Sequence, residues 1–165
     1  MLLVNRVFRK TWADRAGREP QREYWDQIIG PVRGRYPGFT FLAEAYWDLE
    51  RELQQQGFDY CYDKRLYDRL VHEPAGAIRL HLSGETGYQR KLVRFIENHD
   101  EPRAASVFDA PKGAAAAVVM TTLPGARLYH EGQLEGRRVK LPVQLGRKPD
   151  EAPDPALRAF YGKLL

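Results

Sequence analysis

Two short segments, in each of which an apolar run ends in a carboxylate, constrain the fold of this chain most. They are residues 39–47, FTFLAEAYW, and residues 94–103, RFIENHDEPR. A buried parallel strand followed by a loop has this pattern, and barrel and doubly wound folds carry their catalytic groups at that end of the strand. Two carboxylates that meet in one cleft, such as Glu44 and Asp100, are suited to acid/base chemistry on a glycosidic bond.

The chain length bounds the architecture. With 165 residues, the chain can form one domain that buries about 68–70% of the surface of its unfolded state. A complete (β/α)8 barrel needs about 250 residues, and about 200 is near its lower limit. If the predicted strands belong to a barrel, we therefore expect only part of it in this sequence.

Composition excludes several classes of partner. The formal net charge of +4 comes from scattered arginines, whereas nucleic-acid-binding proteins concentrate charge on one face, so we expect no nucleic-acid partner. The single cysteine, Cys61, cannot form an internal disulfide and is expected to be a small buried core residue in a reducing compartment. The sequence has neither a signal peptide nor an apolar run of membrane-spanning length, which predicts a cytoplasmic protein without a membrane partner.

Helical and strand-like patterns alternate along the chain, which predicts an α/β fold with a parallel sheet. We interpret residues 1–165 as a single partial domain of about four strand-helix units, half of a barrel. The predicted strands are 39–43, 58–62, a third that ends near residue 96, and 126–129. The predicted helices are 3–12, 20–36, 48–57 (starting at Asp48), 64–71, 75–82 and 111–122, and a linker at 149–155 precedes a terminal helix at 156–165.

Both carboxylate segments allow a structural interpretation beside the functional one. A catalytic acid needs a raised pKa, which an apolar pocket around Glu44 would supply, but a strand-end glutamate can instead bind a neighbouring loop. Likewise, Asn98, His99 and Asp100 can bind sugar hydroxyls and stabilise positive charge, or they can form a simple turn. In an alternating strand-helix chain, the two segments together favour the functional interpretation.

Other polar residues are expected to be structural. Asp59 and Asp63 flank the second predicted strand beside Lys64 and Arg65, which predicts an ion-pair network. The histidines and the cysteine lack the spacing of metal ligands, so we expect no metal site. The loop 132–136, GQLEG, lacks the strand-helix context of a phosphate-binding loop, and we expect no cofactor.

Four segments in the correct order resemble the alpha-amylase family of glycoside hydrolases, from about residue 39 to residue 136. FLAEAYW at 41–47 resembles the strand-five motif of that family, and GFDYCYDK at 57–64 resembles its strand-six segment. FIENHD at 95–100 resembles the strand-seven motif, and LPGARLYHEGQ at 123–133 resembles the approach to strand eight and the loop after it. The resemblance implies a (β/α)8 barrel that acts on alpha-linked glucans by a retaining mechanism.

The resemblance also implies roles for individual residues. Glu44 corresponds to the general acid/base, and Asp100 to the carboxylate that stabilises the transition state. The remaining expected site residues bind the substrate, an alpha-glucan or maltooligosaccharide: Asn98, His99, Arg103, Tyr46 and Trp47.

The nucleophile of the family is an Asp at the end of strand four, next to an Arg, and this motif does not occur in the sequence. Residues 1–5, MLLVN, resemble the stretch that follows this Asp in many relatives. The resemblance therefore implies that Met1 falls just after the nucleophile and that strands five to eight are present. We expect little or no hydrolysis by these residues alone, and either self-association or pairing with a missing N-terminal half.

Two further functions remain open at this point. The chain can be a non-catalytic carbohydrate-binding or regulatory remnant that keeps His99, Asp100, Tyr46 and Trp47 as a sugar platform. It can also be one half of a two-chain enzyme. The sequence leaves open whether the parent enzyme hydrolyses, transfers or isomerises its substrate.

Overall fold

The computed structural model describes residues 23–46, 48–142, 144 and 147–165. The predicted helix at 3–12 and the side chain of Trp47 lie outside these residues. The chain divides into two compact units, of which the first reaches to Tyr62 and the second begins at Asp63.

The first unit alternates helix and strand as predicted. Its elements are α1 (Asp26–Arg35), β1 (Leu42–Ala43), α2 (Glu50–Gln55) and β2 (Tyr60–Tyr62). The two strands are parallel, with Leu42 opposite Tyr60 and Ala43 opposite Cys61. Cys61 is fully buried among apolar residues, as expected of a core cysteine, and the core of this unit also contains Ile29, Ala43, Leu49, Leu53 and Phe58.

The predicted start of α2 at Asp48 is wrong. The helix begins at Glu50, its N-cap residue is Leu49, and no side chain caps it. Asp48 has φ +64°, a left-handed conformation that Asp tolerates better than most residues. The backbone reverses at Asp48 before the helix starts, so this side chain does not take the N-cap position.

The second unit repeats the alternation with a larger core. Its strands β3 (Leu92–Arg94) and β4 (Ala126–Arg127) are parallel, with Val93 opposite Ala126. Together with β1 and β2, they confirm the predicted α/β class and the predicted strand positions, although each strand is shorter than expected. The helices of this unit are α3 (Lys64–His72), α4 (Ala75–Leu82), α5 (Thr86–Gln89), α6 (Ala104–Val107), α7 (Ala110–Thr122) and α8 (Pro155–Leu164).

Local sequence explains where three of these helices begin. Asp63, Asp109 and Asp154 are the N-cap residues of α3, α7 and α8, and each side chain accepts a hydrogen bond from a backbone N–H of the first turn. In α7 and α8 a proline stands in the first turn, where its missing N–H costs nothing. The small residues of α7 then allow Ala116 and Ala117 to pack closely in a core with Leu66, Ile96, Phe108, Met120 and Tyr161.

The turn before β4 brings two backbone segments into direct contact. Gly125 has φ +110°, and a β-carbon at this position would lie 2.3 Å from the carbonyl oxygen of Leu92. Only glycine fits such an approach, so the predicted turn at Pro124-Gly125 has a steric reason.

A buried ion pair joins β3 to the start of α3. Arg94 is fully buried and donates hydrogen bonds to the carboxylate of Asp63 and to the side-chain oxygen of Gln89. His81 Nε2 lies 3.0 Å from Asp63 Oδ2, and Asp63 Oδ1 accepts a hydrogen bond from the backbone N–H of Leu66. Burial lowers the pKa of Arg94, and the neighbouring Asp63 carboxylate opposes this shift.

The expected involvement of Asp59 and Asp63 in ion pairs is therefore confirmed, but with other partners than the adjacent basic residues. Within the first unit, Asp59 pairs with Arg33 at 2.7 Å. Lys64 pairs instead with Asp68 and Glu101.

None of the helices in the described part of the chain combines the length and the apolar character that a membrane span needs.

We predict that Asp63→Asn lowers the free energy of unfolding by about 3–5 kcal/mol, because the buried charge of Arg94 loses its carboxylate while the helix cap is kept. Urea unfolding followed by far-UV circular dichroism measures this change. Asp68→Asn is the matched control, since it removes a carboxylate from a half-exposed pair on the same helix and should cost about 0–1 kcal/mol. Equal losses in the two variants would contradict a structural role for the buried pair.

Candidate functional site

Glu44 directly follows β1 and points away from the core. Ala43 and Ala45 are each 1% exposed, while Glu44 between them is exposed, as the alternation of an extended chain requires. The hydroxyl of Tyr46 donates a hydrogen bond of 2.9 Å to Glu44 Oε1. The apolar pocket expected around this carboxylate is not formed by the described residues, because the side chain is open to solvent.

After β3 the chain leaves the core within a few residues. All residues from Leu92 to Asn98 are buried, His99 is half-buried, and Asp100 is exposed. His99 Nε2 lies 3.5 Å from Asp100 Oδ2. The two side chains that the sequence analysis assigned to substrate binding and charge stabilisation are therefore neighbours and reach the solvent together.

The segment forms the turn that the structural interpretation predicted, and this turn presents Asp100. Asn98 Oδ1 accepts hydrogen bonds of 2.8 Å from the backbone N–H groups of Asp100 and Glu101. Lys140 donates a hydrogen bond to the backbone carbonyl of Asp100. The backbone of Asp100 is thus held at both its N–H and its carbonyl, while the residue is exposed to solvent.

Glu97 closes the base of the same loop, and sequence analysis did not identify it. Its carboxylate is 1% exposed; Oε1 accepts a 2.6 Å hydrogen bond from Arg103, and Oε2 accepts a 2.7 Å bond from the backbone N–H of Ala104. His130 Nδ1 lies 3.3 Å from Oε1. A carboxylate within the buried run FIEN was the available signal, because such a group needs partners.

Arg103 was expected to bind substrate, but its position favours a structural role. The residue is 2% exposed, and besides Glu97 its guanidinium donates hydrogen bonds to the backbone carbonyls of Glu131 and Val139 at 2.6 and 3.3 Å. The side chain joins the loop after β3 to the loop after β4. Protein groups thus accept hydrogen bonds from Nε and Nη1 of this guanidinium.

A second ion pair fixes the far side of the turn. Lys64 Nζ lies 3.2 Å from Glu101 Oε1 and 4.7 Å from the ring centroid of Tyr67. Burial lowers the pKa of Lys64, but hydrogen bonds to Asp68 and Glu101 outweigh it, and the net shift is upward. Lys64 therefore stays charged beside the turn.

One cleft in the second unit lies apart from these residues. It has a volume of about 300 Å³ and is lined mainly by apolar side chains, among them Phe108, between α6 and α7, and Leu157 and Phe160 of α8. None of the predicted site residues lines it. A glucan needs polar partners for its hydroxyls, so this cleft is a poor candidate for the substrate site.

The structure thus gathers Asn98, His99 and Asp100 in one turn of the second unit, in which Asn98 is buried and Asp100 is exposed. Glu44 and Tyr46 lie together in the first unit. The catalytic and substrate-binding roles assigned to these residues stay predictions, as does the expected absence of a metal ion and a cofactor.

Comparisons with known proteins test the resemblance to the alpha-amylase family. No family model matches the chain. The chain is 30% identical to the alpha-amylase MalA from Haloarcula japonica, over 86% of this chain and 22% of that protein. The resemblance to the alpha-amylase family is thereby confirmed.

Solved structures confirm the partial barrel fold. A debranching enzyme from Nostoc punctiforme has a TM-score of 0.71 at 15% identity, and a cyclic alpha-maltosyl-(1→6)-maltose hydrolase from Arthrobacter globiformis has a TM-score of 0.67 at 16% identity. An alpha-amylase from Lactobacillus plantarum has a TM-score of 0.59 at 21% identity. These matches cover 85–89% of this chain and 36–40% of those chains. The chain therefore spans about a fifth of the curated relative and well under half of the solved chains.

We predict that Glu97→Gln lowers the free energy of unfolding by about 3–5 kcal/mol, because the buried Arg103 loses its charge partner. One amide oxygen also cannot replace two carboxylate oxygens, so the backbone N–H of Ala104 should exchange faster with deuterium. Urea unfolding and amide exchange measure the two effects. Glu131→Gln, which affects an exposed carboxylate paired with Lys148, should cost about 0–1 kcal/mol. Unchanged exchange at Ala104 together with unchanged stability would contradict a structural role for the contacts of Glu97 with Arg103 and Ala104.

Proposed function

The chain is related to the alpha-amylase family of glycoside hydrolases, and from this premise we propose that it forms part of the catalytic barrel of a retaining glycosidase or transglycosidase that acts on alpha-glucans. One observation carries the proposal. Glu44 after β1 and Asp100 in the turn after β3 are exposed carboxylates that follow parallel strands, of which β3 is fully buried and β1 is buried at Ala43. Catalytic residues of (β/α)8 barrels come from such strand ends.

In this proposal Glu44 is the general acid/base. It protonates the glycosidic oxygen as the bond to the leaving sugar breaks, and it then takes a proton from the attacking water or sugar hydroxyl. The Tyr46 hydroxyl, 2.9 Å from Oε1, orients the carboxylate. Tyr46 and Trp47 also offer aromatic faces on which a sugar ring can stack.

Asp100 supplies negative charge beside the oxocarbenium-like transition state, and His99 binds a sugar hydroxyl. An exposed carboxylate stabilises developing positive charge best when it is already oriented. The bonds of Asn98 and Lys140 to the Asp100 backbone support this role, because they hold the residue before substrate arrives.

A retaining mechanism needs a second carboxylate, the nucleophile, about 5–5.5 Å from the acid/base. The 165 residues contain no match for the strand-four motif that carries it in the family. We therefore propose that the glycosyl-enzyme intermediate requires a carboxylate from outside these residues. A longer protein or a separate chain that completes the barrel can provide it.

The ligands of two solved neighbours support the substrate class. The Arthrobacter globiformis hydrolase was solved in complex with maltose, and the Nostoc punctiforme debranching enzyme after soaking with acarbose. We propose alpha-linked glucose oligomers as the ligand of this chain on that basis.

We predict that the 165-residue polypeptide binds a maltooligosaccharide such as maltoheptaose, as measured by isothermal titration calorimetry. Asp100→Asn should weaken binding by about tenfold if the carboxylate makes one hydrogen bond to a ligand hydroxyl. Asp109→Asn, in which the helix-cap oxygen is kept, is the control and should bind like the unmodified chain. Absence of binding, or equal weakening by the two substitutions, would contradict the proposed ligand site.

We further predict no release of reducing sugar by this polypeptide alone, because no covalent intermediate can form without the nucleophile. A barrel half that carries the family's strand-four segment, added as a second polypeptide, should restore release, and Glu44→Gln should abolish it. Glu52→Gln, at a half-buried position of α2, serves as the control. Release by the single polypeptide would contradict the need for an external nucleophile, and binding without release in the mixture would favour a carbohydrate-binding module.

A further inference from the structure

The turn that carries Asp100 depends on one side chain that the sequence analysis assigned to the sugar. We infer that Asn98 is a positioning residue, which fixes Asp100 through its backbone and does not contact the substrate. The inference rests on the proposed function, in which Asp100 stabilises the transition state. In place of the direct contact between Asn98 and the sugar that the sequence analysis expected, Asn98 acts on the substrate only through Asp100.

Every described hydrogen bond of the Asn98 side chain is made by its amide oxygen. Oδ1 accepts one hydrogen bond from the backbone N–H of Asp100 and one from that of Glu101, each 2.8 Å long. An Asn side chain that accepts from the second and third residues after it forms a local turn and sets the backbone direction. Here it sets the direction in which the Asp100 carboxylate leaves the chain.

The nitrogen of the same amide is closed off from any ligand. Asn98 is 1% exposed, and its Nδ2 has almost no solvent-accessible surface and no hydrogen-bond acceptor among the described residues. A sugar hydroxyl reaches a donor only at an accessible surface. Contact between Nδ2 and a sugar would require the turn to open, which would break the two bonds of Oδ1.

Neighbouring groups hold the turn from its other sides. Glu97 binds Arg103 and the backbone N–H of Ala104, and Glu101 pairs with Lys64. These contacts fix the two ends of the loop but do not reach the N–H of Asp100. Asn98 therefore holds the N–H of Asp100, while Lys140 holds its carbonyl. A pre-oriented carboxylate is what electrostatic stabilisation requires.

Two substitutions at Asn98 separate the two roles. Asn98→Asp keeps acceptor oxygens for the backbone N–H groups and removes the NH2 group, whereas Asn98→Ala removes both. A carboxylate that accepts two backbone N–H bonds is favoured in its charged form. If Asn98 positions Asp100, Asn98→Asp retains function; if Nδ2 binds the sugar, both variants lose it.

The first measurement is hydrogen exchange of backbone amides by NMR, which needs no ligand. In Asn98→Ala, exchange at Asp100 and Glu101 should accelerate by about tenfold, the equivalent of one lost hydrogen bond. In Asn98→Asp, exchange at these residues should stay close to that of the unmodified chain. Unchanged protection in Asn98→Ala would overturn the inference.

The chain contains a matched control for this measurement. Asp154 Oδ1 accepts from the backbone N–H groups of Ala156 and Leu157 at 2.9 and 3.0 Å, the same pattern as at Asn98. Asp154→Ala should accelerate exchange at those two amides and leave Asp100 unaffected. Faster exchange of the core amide of Met120 in Asn98→Ala would indicate a general loss of stability. In that case Asn98→Ser replaces this variant. Its hydroxyl keeps one acceptor, so exchange at Asp100 should accelerate to an intermediate extent.

The second measurement is calorimetry with maltoheptaose. Asn98→Asp should retain the affinity of the unmodified chain, and Asn98→Ala should weaken it by about tenfold. Equal weakening in both variants, with amide protection kept in Asn98→Asp, would show that Nδ2 contacts the ligand and would overturn the inference. Absence of binding by the unmodified chain contradicts the proposed function alone, since the amide measurement still decides whether Asn98 fixes the turn.

Discussion

A buried carboxylate needs hydrogen-bond donors from the protein, and the loop after β3 depends on the donors that bind Glu97. Its two oxygens bind the guanidinium of Arg103 and the backbone N–H of Ala104. The loop between Asn98 and Arg103 is thereby closed at its base by one buried side chain. Because an unpaired buried charge is so costly, an opening that separates Glu97 from these donors is strongly disfavoured.

The closed base lets the tip of the loop be polar. Seven consecutive residues from Leu92 to Asn98 are buried, and the chain reaches solvent only at His99 and Asp100. This steep change in burial assigns structural support and the proposed chemistry to different residues of the loop. Glu97 and Asn98 give the loop its geometry, while the exposed pair carries the chemistry that we propose.

Sequence reasoning located both carboxylate segments because it depends on local pattern. An apolar run followed by Glu44 or by Asp100 is visible without knowledge of any contact, and so is the alternation of helices and strands. The contacts of Arg103 and Glu97 were not visible, since each depends on partners that only the folded loops bring together. Asp48 shows the same limit at short range, because its left-handed backbone cannot be distinguished from an N-cap by residue type alone.

The glycine before β4 has a consequence for how this chain could be recombined with related proteins. At Gly125 the main chain lies directly against the carbonyl of Leu92, with no side chain between them. The distance between these segments is therefore fixed by backbone atoms and cannot be adjusted by repacking. A hybrid that joins β3 of this chain to the following segment of another barrel will keep its strand spacing only if the donor also has glycine at this crossing.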